Sequence, residues 1–391
     1  MSKTPKLDEL LITIVSGSDD ISDILFIPGK LPQAEVNGVL ETPAVEWPAR
    51  PDDTAVIEQF AREIIGDNRK LQQDMVEHGA CDCSYSLQDY CRFRVNIYRE
   101  RGFHAIVLRL LKPMLPTIDG MHFPPVFYEV IKERNGITFV TGASGTGKTT
   151  TLAALLNEIN LTRKVHIITL EDPVEFLYTH AQATISQREL GRDFFTFADG
   201  MRSALRQAPK VVLVGEIRDR ESMEIALNAS ETGLMVYSTL HTIGAGQTIN
   251  RILGMFQKDE ERQVRERLAS SLRYVIGQRL VPLKKGGRLL VTEVMGHNLR
   301  TQEAIALGEN DIRRLSEIIE VGKHAGWHTF EQSLLQAYES DLITEETTLI
   351  YATNKPAMIR MLDMCTRPRQ FSGHNQARQT GMRHPLPGLS V

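Results

Sequence analysis

The sequence predicts an α/β protein in two parts: a small α+β module over residues 1–112 and a larger α/β core over residues 113–365. Three observations carry this. Beyond residue 137, short apolar strand runs alternate with helical patterns, the signature of a parallel sheet covered by helices. Before residue 112 the strand runs follow one another closely, with hairpin signals between them. Between the two regions, residues 111–125 gather Pro113, Pro116, Gly120, Pro124 and Pro125, a linker composition. A chain of 391 residues has room for two or three domains, each with its own core.

In the first part, Leu10, Leu11, Ile14 and Val15 fit one helical stripe. A strand over Ile21–Ile27 follows, then two short strands around Asn37-Gly38, a strong hairpin signal. Asp52 and Asp53 are placed to cap a helix with apolar positions Val56, Ile57, Phe60, Ala61, Ile64 and Ile65, stopped by Gly66. Three β runs come next, near 80–86, 91–99 and 103–110, the last apolar on both faces. In the second part the expected parallel strands are Ile137–Thr141, Val165–Leu170, Val211–Val214 and Met235–Leu240. A long helical run is expected near 259–280, and the pattern is helical from Leu299 onward. Residues 366–391 carry four arginines and no acidic residue, with several Gly and Pro, and read as a disordered basic tail.

Composition removes several classes of function. Forty-five Lys+Arg against 49 Asp+Glu give a formal charge of −4, so no global field grips a nucleic acid, and none is expected as partner. The four cysteines (Cys81, Cys83, Cys91 and Cys365) form neither a disulfide framework nor paired CxxC zinc spacing. The run Leu10–Val15 is too short to span a bilayer, and acidic Asp8 and Glu9 stand where a signal peptide carries positive charge. A cytoplasmic location is therefore expected, with any membrane role exerted through a partner.

One motif dominates. Gly142-Ala143-Ser144-Gly145-Thr146-Gly147-Lys148-Thr149 matches G-x-x-x-x-G-K-[ST], between the strand Ile137–Thr141 and a helix-compatible run. Its glycines let backbone N–H groups turn toward a β-phosphate, and the helix N-terminus adds partial positive charge. Lys148 supplies a point charge to the β/γ-phosphates and the Thr149 hydroxyl suits Mg²⁺. These residues, with Thr150 beside them, are assigned to binding ATP. Val211–Val214 followed by Gly215 and Glu216 has the form of a Walker B strand, but Gly215 holds the usual Asp position. Glu216 is thus expected to carry the metal-side or water-orienting role alone. The cluster Glu171-Asp172-Pro173-Val174-Glu175 ends another strand, making Glu175 a rival base, and His241 ends a fourth, within reach of a γ-phosphate.

Taken together, the phosphate loop, ITLEDPVEF at 168–176, VVLVGEIRD at 211–219 and ETGLMVYSTLHT at 231–242 resemble the Walker A, Asp, Walker B and His boxes of the secretion and type IV pilus ATPases. The segment over 202–224, together with SQREL at 186–190, is similar to the PilT/PilU branch, the pilus-retraction motors. So is CRFRVNIYRERGFHAIVLR at 91–109, which resembles that branch's PAS-like N-terminal domain. The resemblance implies a PAS-like domain followed by a RecA-like core with a helical C-terminal part, assembled as a homohexameric ring. It further implies ATP bound between the two domains and closed in by arginines of the N-terminal module, of which Arg94, Arg101 and Arg109 are the candidates. Without it, an arginine on a strand reads as a solvated face. The implied partner is an inner-membrane pilus platform protein, with the motor held peripherally at that membrane.

Three departures stand out. Ala208-Pro209-Lys210 replaces the common Asp-Pro-Asp and is closer to the PilU side. Leu234 replaces the first histidine of the His box, and Arg300-Thr301-Gln302-Glu303-Ala304-Ile305 stands where the retraction-associated AIRNLI motif is expected. The arginines 262, 265, 267, 273 and 279 interleave with acids at helical spacing and read as a solvated or subunit-facing helix. An ATPase of a related secretion or conjugation system and, further off, a nucleic-acid translocase remain as alternatives.

Overall fold

Leu7, Leu10, Leu11 and Ile14 recur on one side of the first helix, α1 (Leu7–Ser16), and are all buried. The structure is a computed structural model that describes residues 6–18, 20–45, 47, 54–87, 90–111, 114–310 and 314–366. After α1 come β1 (Ile21–Phe26), β2 (Gln33–Val36) and β3 (Val39–Glu41). Asn37 and Gly38 join the last two with φ of 52° and 82°, as a type I′ turn needs. Next are α2 (Ala55–Ile65) and α3 (Arg69–Glu77), the latter capped by the Asn68 side chain. The expected caps Asp52 and Asp53 of α2 lie outside the described residues. β4 (Ala80–Leu87), β5 (Cys91–Glu100) and β6 (Phe103–Leu111) complete an antiparallel sheet of order β3-β2-β1-β6-β5-β4. β6 is buried on both faces only in its middle, at Ala105, Ile106 and Leu108; Phe103 and Arg109 are exposed. Trp47 closes this core by stacking on Phe26, and Cys81, Cys83 and Cys91 pack into the same core. Burial pushes the Cys81 and Cys83 thiols up to about 11 and about 12, so they are poor nucleophiles.

The second sheet begins after a short helix, α4 (Phe127–Val130). β7 (Gly136–Thr141), α5 (Lys148–Thr162), β8 (His166–Glu171), β9 (Thr184–Glu189), α6 (Phe197–Ala204), β10 (Val211–Val214), α7 (Arg220–Glu231), β11 (Met235–Leu240) and α8 (Ala245–Leu253) alternate in the expected way. α9 (Glu261–Ser271), β12 (Leu272–Pro282) and β13 (Arg288–Met295) follow. The order is β13-β12-β7-β11-β10-β8-β9, parallel throughout except for β13. β7, β10 and β11 are buried at every position, because helices cover both faces. This is the RecA-like arrangement.

The helical run expected over 259–280 is corrected: α9 ends at Ser271, and the apolar run Tyr274-Val275-Ile276 joins β7 as strand β12. Arg273 and Arg279 are therefore not part of a helical stripe. The remaining arginines of α9 are engaged in ion pairs: Arg262 with Glu266, Arg265 with Glu261, and Arg267 with Glu224 and Glu231.

Five further helices end the described chain: α10 (Leu299–Leu307), α11 (Leu315–Val321), α12 (Phe330–Glu339), α13 (Glu345–Tyr351) and α14 (Lys355–Thr366). Thr329 and Gln332 form a capping box at the start of α12. α12, α13 and α14 share a small core with the β12–β13 hairpin through Val281, Val291, Phe330, Leu334 and Met358. Residues 300–305 lie in α10, where Thr301, Ala304 and Ile305 are buried. Beyond Thr366, the basic tail lies outside the described residues.

Candidate active site

The strands β7, β11, β10 and β8 are neighbours in that order, and all four point their carboxyl ends at one place. Ligands of open α/β sheets bind there. β7 delivers the loop 142–147. Gly142 is required by close approach: a Cβ there would lie 2.6 Å from the Gln278 carbonyl oxygen, and its φ is 148°. Gly147 adopts the left-handed conformation and opens α5 with no side-chain cap. The first-turn N–H groups of a 15-residue helix are thus left to an anion. Lys148 turns back over the loop, donating to the carbonyls of Gly142 and Ala143 at 3.0 Å each, and its Nζ is 3.5 Å from His241 Nδ1. Burial pulls the Lys148 pKa down, against the attraction of Glu216.

Glu216, just past the end of β10, has two side-chain partners. Its Oε2 is 2.8 Å from the Arg218 guanidinium and its Oε1 is 3.4 Å from His241 Nε2. Lys148, His241, Glu216 and Arg218 therefore form a continuous polar line across β7, β11 and β10. From β8, Glu171 accepts from the Thr169 hydroxyl at 2.6 Å, and burial pushes its pKa up to about 7. Glu175 lines the same cavity as Thr149; burial raises its pKa while Arg94 and Thr149 oppose the rise. Asp172 is raised by burial and lowered by Lys70, Arg218 and Arg94. Together these groups line a cavity of about 270 Å³. The Thr149 hydroxyl with nearby carboxylates is a hard-oxygen set that suits Mg²⁺ shared with phosphate oxygens.

Of the three candidate arginines, the cavity of one chain takes only Arg94. Arg109, its cross-strand partner, is bound to Asp23 at 2.9 Å and is 68% exposed. It borders a neighbouring cavity that shares Glu175 and Phe176 with the first. Arg101 sits in the β5–β6 turn with φ of 54°, exposed, at the opposite end of the hairpin.

Arg218, Arg92 and Glu189 take places that the sequence alone does not assign. Arg92 and Glu189 join the two sheets. Glu189, on β9, accepts from Arg92 Nη2 at 2.7 Å, from Ser84 Oγ at 2.5 Å and from the Val174 N–H at 3.1 Å. Both charged side chains are 10% exposed. One available signal was period-2 alternation, which sets Arg92 on the same face of β5 as Arg94. Glu189→Ala leaves Arg92 buried without its counter-charge, a loss of about 3–5 kcal/mol. A lowered thermal midpoint and faster proteolysis between the sheets check this; an unchanged midpoint counts against it.

A ring of N–H donors over a buried ammonium, faced by carboxylates, suits a nucleotide polyphosphate and its cleavage, and the class so defined is the P-loop ATPases with a RecA-like core. Within that class, the chain belongs to the family of Type II/IV secretion system proteins (T2SSE), whose family model matches residues 87–362. It is 39% identical over 297 residues to the uncharacterized protein YggR of Escherichia coli (strain K12), covering 73% of this chain and 90% of that protein. It is 33% identical over 333 residues to the type IV pilus ATPase PilU of Pseudomonas aeruginosa, covering 85% of each. Among solved structures, the pilus retraction motor PilT with bound ADP superposes with a TM-score of 0.80 at 32% identity, over 91% of this chain and 99% of that one.

Proposed function

We propose that this ATPase is a ring-forming motor of the pilus-retraction class, hydrolysing ATP at the line formed by Lys148, Glu216 and His241. The observation that carries the reading is the shared cavity. Arg94 of the N-terminal sheet enters the same space as Lys148, Glu175 and Glu216 of the core, so a change in the nucleotide is felt by both parts of the chain. Likeness to PilT and PilU supports the retraction class.

The chemistry is phosphoryl transfer to water. Lys148 and the α5 N-terminus hold the phosphates and neutralise charge as it shifts toward the leaving oxygen. Glu216 orients the attacking water and takes its proton, held in place by Arg218. His241, between Lys148 and Glu216, reads whether a γ-phosphate is present. Thr149 with Glu216 or Glu175 would hold Mg²⁺, which would supply charge neutralisation to the phosphates. In a homohexamer, the exposed Arg101 and Arg109 of one subunit close the site of a neighbour. Among the described residues no helix is long and apolar enough to cross a membrane. Likeness to the pilus ATPases supports a motor on the cytoplasmic side, acting on a pilus platform protein of the inner membrane.

Residues 300–305 favour a second reading, an ATPase of a related secretion system, because the retraction-associated motif is replaced there. A deletion strain scored for surface pili separates the two. Excess immobile pili are expected for a retraction motor; normal pili favour secretion, and loss of pili overturns the retraction reading.

A further inference from the structure

Helix α8 starts four residues after His241, and its own sequence offers no cap, because the N-cap position is Gly244. The cap comes from another strand. Glu293, on β13, accepts the Ala245 N–H through Oε1 at 2.9 Å. The fit is close: a Cβ on Gly244 would lie 2.7 Å from that oxygen, and Gly244 has φ of 154°. Gly277 stands opposite Glu293 in the β12–β13 ladder. A Cβ there would be 3.5 Å from the Gly244 Cα and 3.0 Å from the Phe330 ring, so loop, hairpin and α12 meet at one point. Within the loop, Thr242 and Thr248 join their hydroxyls at 2.7 Å, and Thr248 also donates to the Gly244 carbonyl. The path from Ala245 back to His241 is therefore tightly held.

Glu293 also looks toward the C-terminal helices. It interacts electrostatically with Arg279, whose guanidinium lies 3.8 Å from the centre of the Phe330 ring. Arg279 donates to the Tyr351 carbonyl at the end of α13 and to Thr353 Oγ1. Glu331, on α12, accepts from the N–H groups of Thr353 and Asn354 at 2.8 and 2.7 Å. Burial pushes the Glu293 carboxyl up to about 7, the Ala245 N–H and Arg279 opposing and Glu331 adding to the rise. A carboxylate is kept in an unfavourable setting, joined to a helix start on one side and to the C-terminal helices on the other.

We propose that Glu293 is a positioning residue for His241: by capping α8 it fixes the loop that presents the imidazole, and through Arg279 it ties that loop to the arrangement of α12, α13 and α14. This rests on the γ-phosphate reading of His241 given above.

The test is a double-mutant cycle on the full-length protein, following ATP turnover and, separately, binding of a fluorescent ATP analogue. Glu293→Ala lowers kcat about tenfold, the size of a lost helix cap passed on to the site, with analogue affinity unchanged. Glu293→Gln, which keeps an acceptor for Ala245, recovers most of the loss. Gly244→Ala displaces the carboxylate without deleting it and reproduces the Glu293→Ala kinetics, which keeps the test open if the Ala variant folds poorly. In a His241→Ala background, Glu293→Ala has no further effect on kcat. If His241→Ala is impaired and the two losses multiply, or if Gln is as poor as Ala, the proposal is overturned. If His241→Ala alone turns over ATP at the unaltered rate, the sensor reading of His241 fails instead.

Discussion

Glu216→Gln is expected to bind ATP as tightly as the unaltered protein and to lose about 10²–10⁴ of its turnover. The amide has nearly the shape of the carboxylate and keeps an oxygen for Arg218, which holds Glu216 Oε2 at 2.8 Å. What it cannot do is take a proton from the attacking water. It also removes a negative charge near Lys148, where Glu216 favours the ammonium form. The lost repulsion of the phosphates and the weaker hold on the ammonium form oppose each other, so affinity stays while turnover falls. Phosphate release in the steady state, set against equilibrium binding of a fluorescent nucleotide, measures both. Unchanged turnover in this variant would give the role of base to Glu175, which lines the same cavity as Thr149.

Lys148→Ala has the second large effect, and on the other quantity. Two or more charge-assisted hydrogen bonds to phosphate are lost, so ATP affinity falls by at least about 10²-fold. The fold is expected to suffer little. Burial already disfavours the Lys148 ammonium, and its hydrogen bonds within the chain are to two carbonyls of its own loop and, at 3.5 Å, to His241. A titration showing intact binding in a folded variant would remove the phosphate loop from the mechanism. A variant that both unfolds and fails to bind would show instead that the lysine holds the loop together.

Much of the core was legible because its physics is local. β7, β10 and β11 read as continuous apolar runs since both of their faces are covered. The phosphate loop was legible because its glycines answer to the backbone rather than to a distant partner. β9 escaped notice, since Thr184–Glu189 is a largely polar strand at the sheet's edge. β12 was read as helix because the charge pattern of α9 runs into it; only pairing with β7 turns that segment into a strand. In the site, Glu216 and His241 could be found from strand ends, whereas the support that Arg218 and His241 give Glu216 could not. Arg92 and Glu189 were hidden for a simpler reason. They are 97 residues apart and meet only when the two sheets do.

That meeting has a consequence for the working motion. The Glu189 carboxylate divides its oxygens, Oε1 for Ser84 and Oε2 for both Arg92 and the Val174 N–H. If the N-terminal sheet swings away, a carboxylate and a guanidinium, each 10% exposed while joined, both take up a hydration shell. Separation of the two parts is then a wetting event. Its equilibrium follows water activity, and solutes excluded from protein surfaces hold the joint shut.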